Sequence, residues 1–345
     1  DMSRGLGDVY KRQTQGRSFW IFDDLFLLRQ YEGASGKMHL FTPEETTFPN
    51  WYSSMDGSNP TGTHPFKGVN PASGMVLYYE LPKLPDSVEV QLEVVDERGT
   101  VIRSYSSVPD ANYRSYEGAP SRKPVLPKKT GLNRFVWDLR HESLPGVPEV
   151  YIEGSFRGHR AIPGTYTLRL KYDGVMEEVQ GRILPNPLIP TTGEEFREYH
   201  GFKSQAEETY RQMTRRTNQF YELQGRHKDL IGYLKKTEHK EVTLNAEETY
   251  QKLKAWDAVM AQRLSKAYDD VENFVNGFTA EYLTAMNHGD SGIPRINEGT
   301  RQRIAALNSR WDTYQSQARE LLQKDIATLN KQLFDLGIGA LYLNE

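Results

Sequence analysis

Adjacent carboxylates are the residues of this chain that come nearest to hydrolytic chemistry: Glu177 with Glu178, Glu207 with Glu208, Glu247 with Glu248, and Asp269 with Asp270. Glycoside hydrolysis needs an acid and a second carboxylate roughly 5–10 Å apart across the scissile bond. Neighbours in sequence diverge on a strand or a helix, so these pairs read as solvated faces. The histidines are His39, His64, His141, His159, His200, His227, His239 and His288, with no His-Glu-x-x-His and no i, i+4 pair among them. Zinc is therefore not expected. His227 falls on an apolar helical stripe and reads as a core histidine. Cysteine is absent, which excludes disulfides, thiolate metal sites and cysteine nucleophiles. Neither a phosphate-binding Gly-x-x-x-x-Gly-Lys-Ser/Thr nor a Gly-x-Ser-x-Gly elbow occurs, and Gly337-Ile338-Gly339 reads as a helix C-cap and turn. No catalytic, cofactor-binding or metal-ligating residue is expected, and no cofactor.

Two groups fit ligand binding better than catalysis. Arg122, Lys123, Lys128 and Lys129 make a short basic loop among prolines, read either as a contact for an anionic glycan or as a soluble loop. Trp51 and Tyr52, in a Gly/Pro-rich stretch, either stand exposed or pack that stretch onto the neighbouring domain. Phe135 with Trp137, and Trp20, Trp256 and Trp311, sit on apolar patterns and are expected in cores.

The 345 residues allow two or three domains. A net charge of -3 and a pI near 6.3 give no overall attraction for nucleic acid, which is not an expected partner. No apolar run approaches the roughly 18–20 residues that cross a bilayer, so no membrane span is expected.

The elements follow from periodicity. Ser18–Phe22 reads as a single buried strand whose partners lie upstream, and residues 51–74 as a linker. From residue 75 to 185 the pattern is β: Met75–Leu81, Ser87–Val94, Thr100–Tyr105, Gly131–Leu139, Thr165–Tyr172 and Val175–Leu184, with Asp173-Gly174 as a hairpin turn. Short strands with turns between them predict an antiparallel β-sandwich of immunoglobulin or fibronectin type. After a Pro-rich boundary at 185–190 the period becomes helical. One helix is expected over 193–236, a second after Asn245 as N-cap and running past Phe278, and a third over 298–336. Three such helices, each about 60 Å long, predict an antiparallel three-helix bundle over 190–345.

Two resemblances add to this reading. Asp1–Gln13, DMSRGLGDVYKRQ, resembles a peptide found at the ends of translated metagenomic contigs and is expected to be a non-native leader. Gly16–Leu25 (GRSFWIFDDL), then Leu28-Arg29-Gln30 and His39-Leu40-Phe41, resemble the last strand and exit of the propeller in bacterial BNR-repeat, sortilin-like proteins, a family often labelled glycosyl hydrolase. Leu132–Arg140 (LNRFVWDLR) and Pro163–Leu170 (PGTYTLRL) resemble that family's sandwich and the Ig-like domain of the flagellar hook-cap protein. Gln15 stands where the family is expected to have His, and no Asp-box repeat occurs in the chain.

The resemblance implies that residues 14–50 are a last propeller strand and its exit segment. It implies a secreted, periplasmic or cell-surface location. The expected partner is the protein's own propeller, with a glycan or a protein as a further partner. The expected function is a non-catalytic accessory and interaction region; the alternative is the C-terminal part of a sialidase-like extracellular glycoside hydrolase whose active site lies in the propeller. On that alternative Arg17 points to the propeller channel; otherwise it is a strand-end arginine beside the turn carboxylates Asp23 and Asp24.

Overall fold

A computed structural model describes residues 10–13, 19–22, 24–33, 36–48, 72–290 and 294–343, the first two stretches by backbone alone. The chain divides into two compact units that do not follow its order. One comprises residues 1–111, 123–142 and 160–193, the other residues 112–122, 143–159 and 194–345.

The first unit opens with strands β1 (Tyr10–Gln13) and β2 (Phe19–Phe22), paired antiparallel with Tyr10 opposite Phe22. The aromatic run read as a stray propeller strand thus takes its partner from residues 10–13, inside the stretch read as a leader. Helix α1 (Leu25–Gln30) follows, and its Phe26 and Leu27 pack with Phe41 and Tyr78. Strands β3 (His39–Leu40), β4 (Thr46–Thr47), β5 (Met75–Leu81), β6 (Gln91–Val95), β7 (Val101–Ser106), β8 (Gly131–Trp137), β9 (Gly164–Tyr172) and β10 (Val175–Leu184) build two sheets, ordered β4-β10-β9-β6-β7 and β3-β5-β8.

This is not the expected immunoglobulin-type sandwich. The larger sheet is mixed, because β4 runs parallel to β10 with Thr46 opposite Ile183. The stretch read as a propeller exit supplies one short edge strand to each sheet. The physical reason lies in its apolar residues: Leu40, Phe41 and Phe48 are all buried, and Phe48 N donates to the Leu184 carbonyl at 2.7 Å. Strands of two residues carry no readable period, so the sequence pattern missed them.

Other local features follow the pattern. Asp173 (φ 43°) and Gly174 (φ 78°) take the paired left-handed conformation that turns β9 into β10. Tyr166, Leu168 and Leu170 alternate into the core. The two sheets meet where Trp137 stands edge-on to Tyr166 at 5.4 Å and Tyr105 edge-on to Phe135 at 4.7 Å. Trp137 is fully buried, as expected, and its Nε1 donates to the Arg140 carbonyl at 3.1 Å.

The second unit is helical: α2 (Gly193–Leu234), α3 (Lys240–Met260), α4 (Asp270–Asn273), α5 (Phe278–His288), α6 (Glu298–Glu320), a π turn over Leu321–Ile326, and α7 (Ala327–Asp335). Helix α2 begins at the expected residue, with Glu194 and Glu195 in its first turn beside the positive end of the helix dipole. It buries Tyr199, Tyr210, Met213 and Phe220 along one stripe. Asn297 caps α6, its Oδ1 accepting from Thr300 N at 2.7 Å. Helix α7 ends in a Schellman motif: Gly337 has φ 69°, Ile338 N donates to Leu333 O and Gly337 N to Phe334 O.

A three-helix bundle does not form. The second expected helix is cut into α3, α4 and α5, and Asn245 does not cap it. That residue lies inside α3, its Nδ2 donating to Gln332 Oε1 at 2.6 Å. At Ala261 the backbone is extended (φ -140°, ψ 130°). Gly277 closes against it, where a Cβ would stand 2.7 Å from the Ala261 Cα. The core is also not purely helical: Leu144, Val147, Val150, Ile152 and Phe156 join Phe220, Trp256, Tyr282 and Trp311 in it. Among the described residues no helix is long and apolar enough to cross a membrane.

Candidate functional site

The N-terminal half of α2 carries a row of polar and ionisable groups, two of them deeply buried. His200, Lys203, Ser204, Glu207 and Arg211 recur at spacings of three and four, which stacks them along one side of the helix. Facing them is His159, which ends the 143–159 segment. His159, Lys203 and Glu207 are each 1% exposed, a burial that charged groups tolerate only with partners.

Glu207 is clamped by His159 twice. One carboxylate oxygen accepts the His159 backbone N–H at 2.7 Å and the other lies 3.0 Å from His159 Nδ1. Arg211, one turn on, lies 3.7 Å from the second oxygen. A carboxylate only accepts, so Nδ1 carries the proton and Nε2 presents its lone pair. That Nε2 lies 2.9 Å from Nδ1 of His200. Burial, reinforced by His200 and Lys203, holds the His159 pKa well below the ordinary histidine value. The ring is therefore neutral, and its contact with Glu207 is a hydrogen bond to a carboxylate rather than an ion pair.

Beside this pair, Lys203 Nζ donates to the Met286 carbonyl at 2.9 Å and meets Asp290 Oδ1 at 3.1 Å. Tyr199 donates its hydroxyl to the same Asp290 oxygen at 3.2 Å. The Lys203 ammonium thus sits at the negative end of α5 with a carboxylate partner.

The arrangement does not make a nucleophile relay. Ser204 Oγ and His159 Nε2 both approach His200 through Nδ1, at 3.4 and 2.9 Å. A Ser-His-acid relay needs nucleophile and acid on opposite ring nitrogens. What the geometry supplies is two imidazoles in contact, one of them oriented by a buried carboxylate.

A second feature of this unit is the segment between α3 and α5. Leu264 is 64% exposed, Tyr268 57% and Val275 86%. The segment is nonetheless held at many points. Arg263 makes a bidentate pair with Asp257 at 2.7 and 3.0 Å and covers the Tyr221 ring at 3.8 Å. Asp270 Oδ2 accepts Lys266 N and Ala267 N at 2.6 and 2.9 Å. Tyr151 N donates to Ser265 O, Lys266 Nζ to Glu149 O, and Tyr268 N to Glu117 Oε1, at 2.9, 2.7 and 2.9 Å.

Glu207 is not on a solvated face, whereas its neighbour Glu208 is exposed and accepts from Gln212. Glu177 accepts Leu40 N at 2.6 Å while Glu178 faces Arg169. Glu247 pairs with Lys235, and Asp270 caps the turn before α4. His227 is fully buried on the α2 stripe. The basic loop is dispersed: Arg122 lies over Tyr113, Lys123 pairs with Glu142, and Lys128 donates to the Pro85, Asp86 and Val88 carbonyls. Trp256 and Trp311 are core residues. Arg17, Asp23, Trp51, Tyr52 and His64 lie outside the described residues, as does the side chain of Trp20. His159 and His200 were missed as a pair because 41 residues separate them. The legible signal was the shared helical face of His200, Lys203 and Glu207.

No family model, curated protein or solved structure matches this chain.

Proposed function

We propose that this chain is the non-catalytic accessory region of a secreted or cell-surface β-propeller protein of the BNR-repeat, sortilin-like kind. Its role is contact, first with its own propeller and otherwise with another protein. The resemblance of Gly16–Leu25 and of Leu132–Arg140 to that family supplies the context.

The observation that carries the reading is the segment between α3 and α5. Leu264, Tyr268 and Val275 stand exposed on a segment whose backbone is bonded by the side chains of Asp270 and Glu117 and whose Arg263 is paired with Asp257. Exposed apolar groups on a mobile loop lose binding energy to ordering. Groups on a fixed one do not, and apolar side chains exposed along one segment offer area for a contact surface.

The test is amide exchange of the chain with and without the separately produced propeller of its own reading frame. Residues 261–277 gain protection, and the double substitution L264D/V275D removes both protection and binding while leaving the circular dichroism unchanged. Equal binding by the two forms refutes the assignment of this surface.

A further inference from the structure

We propose that His159 and His200 are the protein ligands of a site for a borderline divalent cation, of which Zn²⁺ is the representative. Nothing in the assignment depends on the accessory role. Four observations converge on it.

The first is distance. His159 Nε2 and His200 Nδ1 lie 2.9 Å apart. Two imidazole nitrogens on one tetrahedral zinc, each at about 2.0–2.1 Å, stand about 3.3 Å from each other. A few tenths of an ångström on the less buried His200 ring therefore convert a hydrogen-bonded pair into a chelating one.

The second is orientation. Metal-bound histidines almost always donate their other ring N–H to a carboxylate or carbonyl, which fixes the tautomer and makes the ligating nitrogen more basic. Glu207 does this for His159, accepting from Nδ1 at 3.0 Å and from the backbone N–H at 2.7 Å. The lone pair of Nε2 is thereby aimed at His200.

The third is charge. Lys203 and Arg211 stand near the pair and would repel a dication, but Glu207 and Asp290 are paired with them at 3.7 and 3.1 Å. The formal charges of these four groups sum to zero, so each cation near the pair has a carboxylate partner.

The fourth is protonation. In the metal-free pair one proton, on His200 Nδ1, closes the contact with His159 Nε2. The cation replaces that proton, which moves to the other nitrogen of the His200 ring.

Two imidazoles with water completing the shell predict an affinity below that of closed four-ligand structural sites. Imidazole nitrogen selects Zn²⁺ and Cu²⁺ over Mg²⁺.

The test is calorimetric titration of the full chain with Zn²⁺ and, separately, Mg²⁺, together with nitrogen-detected spectra of the histidine rings. Zn²⁺ binds at one site, Mg²⁺ does not, and the first ring nitrogens to shift are those of His159 and His200. H200A weakens binding by more than about tenfold, and E207Q by about 10–100-fold through loss of ring orientation. The ring spectra of the unaltered chain keep the test decisive if a variant misfolds. Absence of binding, first shifts on other histidines such as His39 or His239, or undiminished affinity in folded H200A overturns the proposal.

Discussion

Lys203 and Asp290 form an ion pair 3.1 Å long in which the lysine is almost wholly buried, and the same ammonium donates to the Met286 carbonyl at the end of α5. An ammonium so far from water is held by partners that lie 83 and 87 residues away in sequence. Removing Lys203 leaves the Asp290 carboxylate, 20% exposed, and the Met286 carbonyl without their partner. K203A is therefore expected to cost about 3 kcal/mol. K203M retains the volume of the stem and should cost less. Urea unfolding of both variants checks this; an unchanged midpoint for K203A contradicts it.

Acid weakens this protein through its buried histidines. Burial pushes His227 down to about 4, and the Ala246 backbone, near the ring but outside hydrogen-bond geometry, offsets a small part. The unfolded chain takes up the same proton near its ordinary value of 6.5. Stability from the neutral ring is thus complete above about pH 6.5 and falls as the pH drops toward 4, by up to about 1.4 kcal/mol per pH unit. His159 acts in the same direction. Neither His227 ring nitrogen has a hydrogen-bond partner, so H227L should flatten the pH slope with little loss at pH 7. Thermal melts between pH 4.5 and 7.5 measure it.

Gly277 is required by space rather than by dihedral angle. A Cβ there would meet Ala261 Cα and the Met260 carbonyl, both at 2.7 Å. G277A should cost about 1–3 kcal/mol and raise amide exchange at Thr279, whose hydroxyl bonds the same Met260 carbonyl. Exchange at wild-type rates there contradicts the close approach.

Asn133 ties the entry to β8. Its side chain accepts Lys129 N at 2.9 Å and donates to the Lys129 and Gly131 carbonyls at 2.7 and 2.8 Å. N133A leaves these groups without the side chain that satisfies them, at a cost of about 2–3 kcal/mol. Chemical unfolding with N133D alongside separates lost bonds from lost volume.

Much of this fold is written in local pattern. The α2 stripe, the alternation along β9, the Asp173-Gly174 turn and the Gly337 cap depend on neighbours within a few residues, and sequence shows those. The break after Met260 is different. Residues 261–276 contain neither proline nor glycine, so a helical period reads straight through them. What stops the helix is tertiary: Gly277 against Ala261, and Asp257 holding Arg263. The same holds for the two-residue strands β3 and β4, and for residues 143–159, whose apolar side chains join the helical core. The His159–Glu207–His200 cluster was illegible for that reason too, since only its α2 half has a period.

The central claim, that this chain contacts but does not catalyse, is tested most directly by assaying the purified chain on fluorogenic glycosides, sialosides included. The expected result is no release above a heat-denatured control, at any pH between 4.5 and 8. Turnover that survives repurification and is lost on a single carboxylate substitution contradicts it.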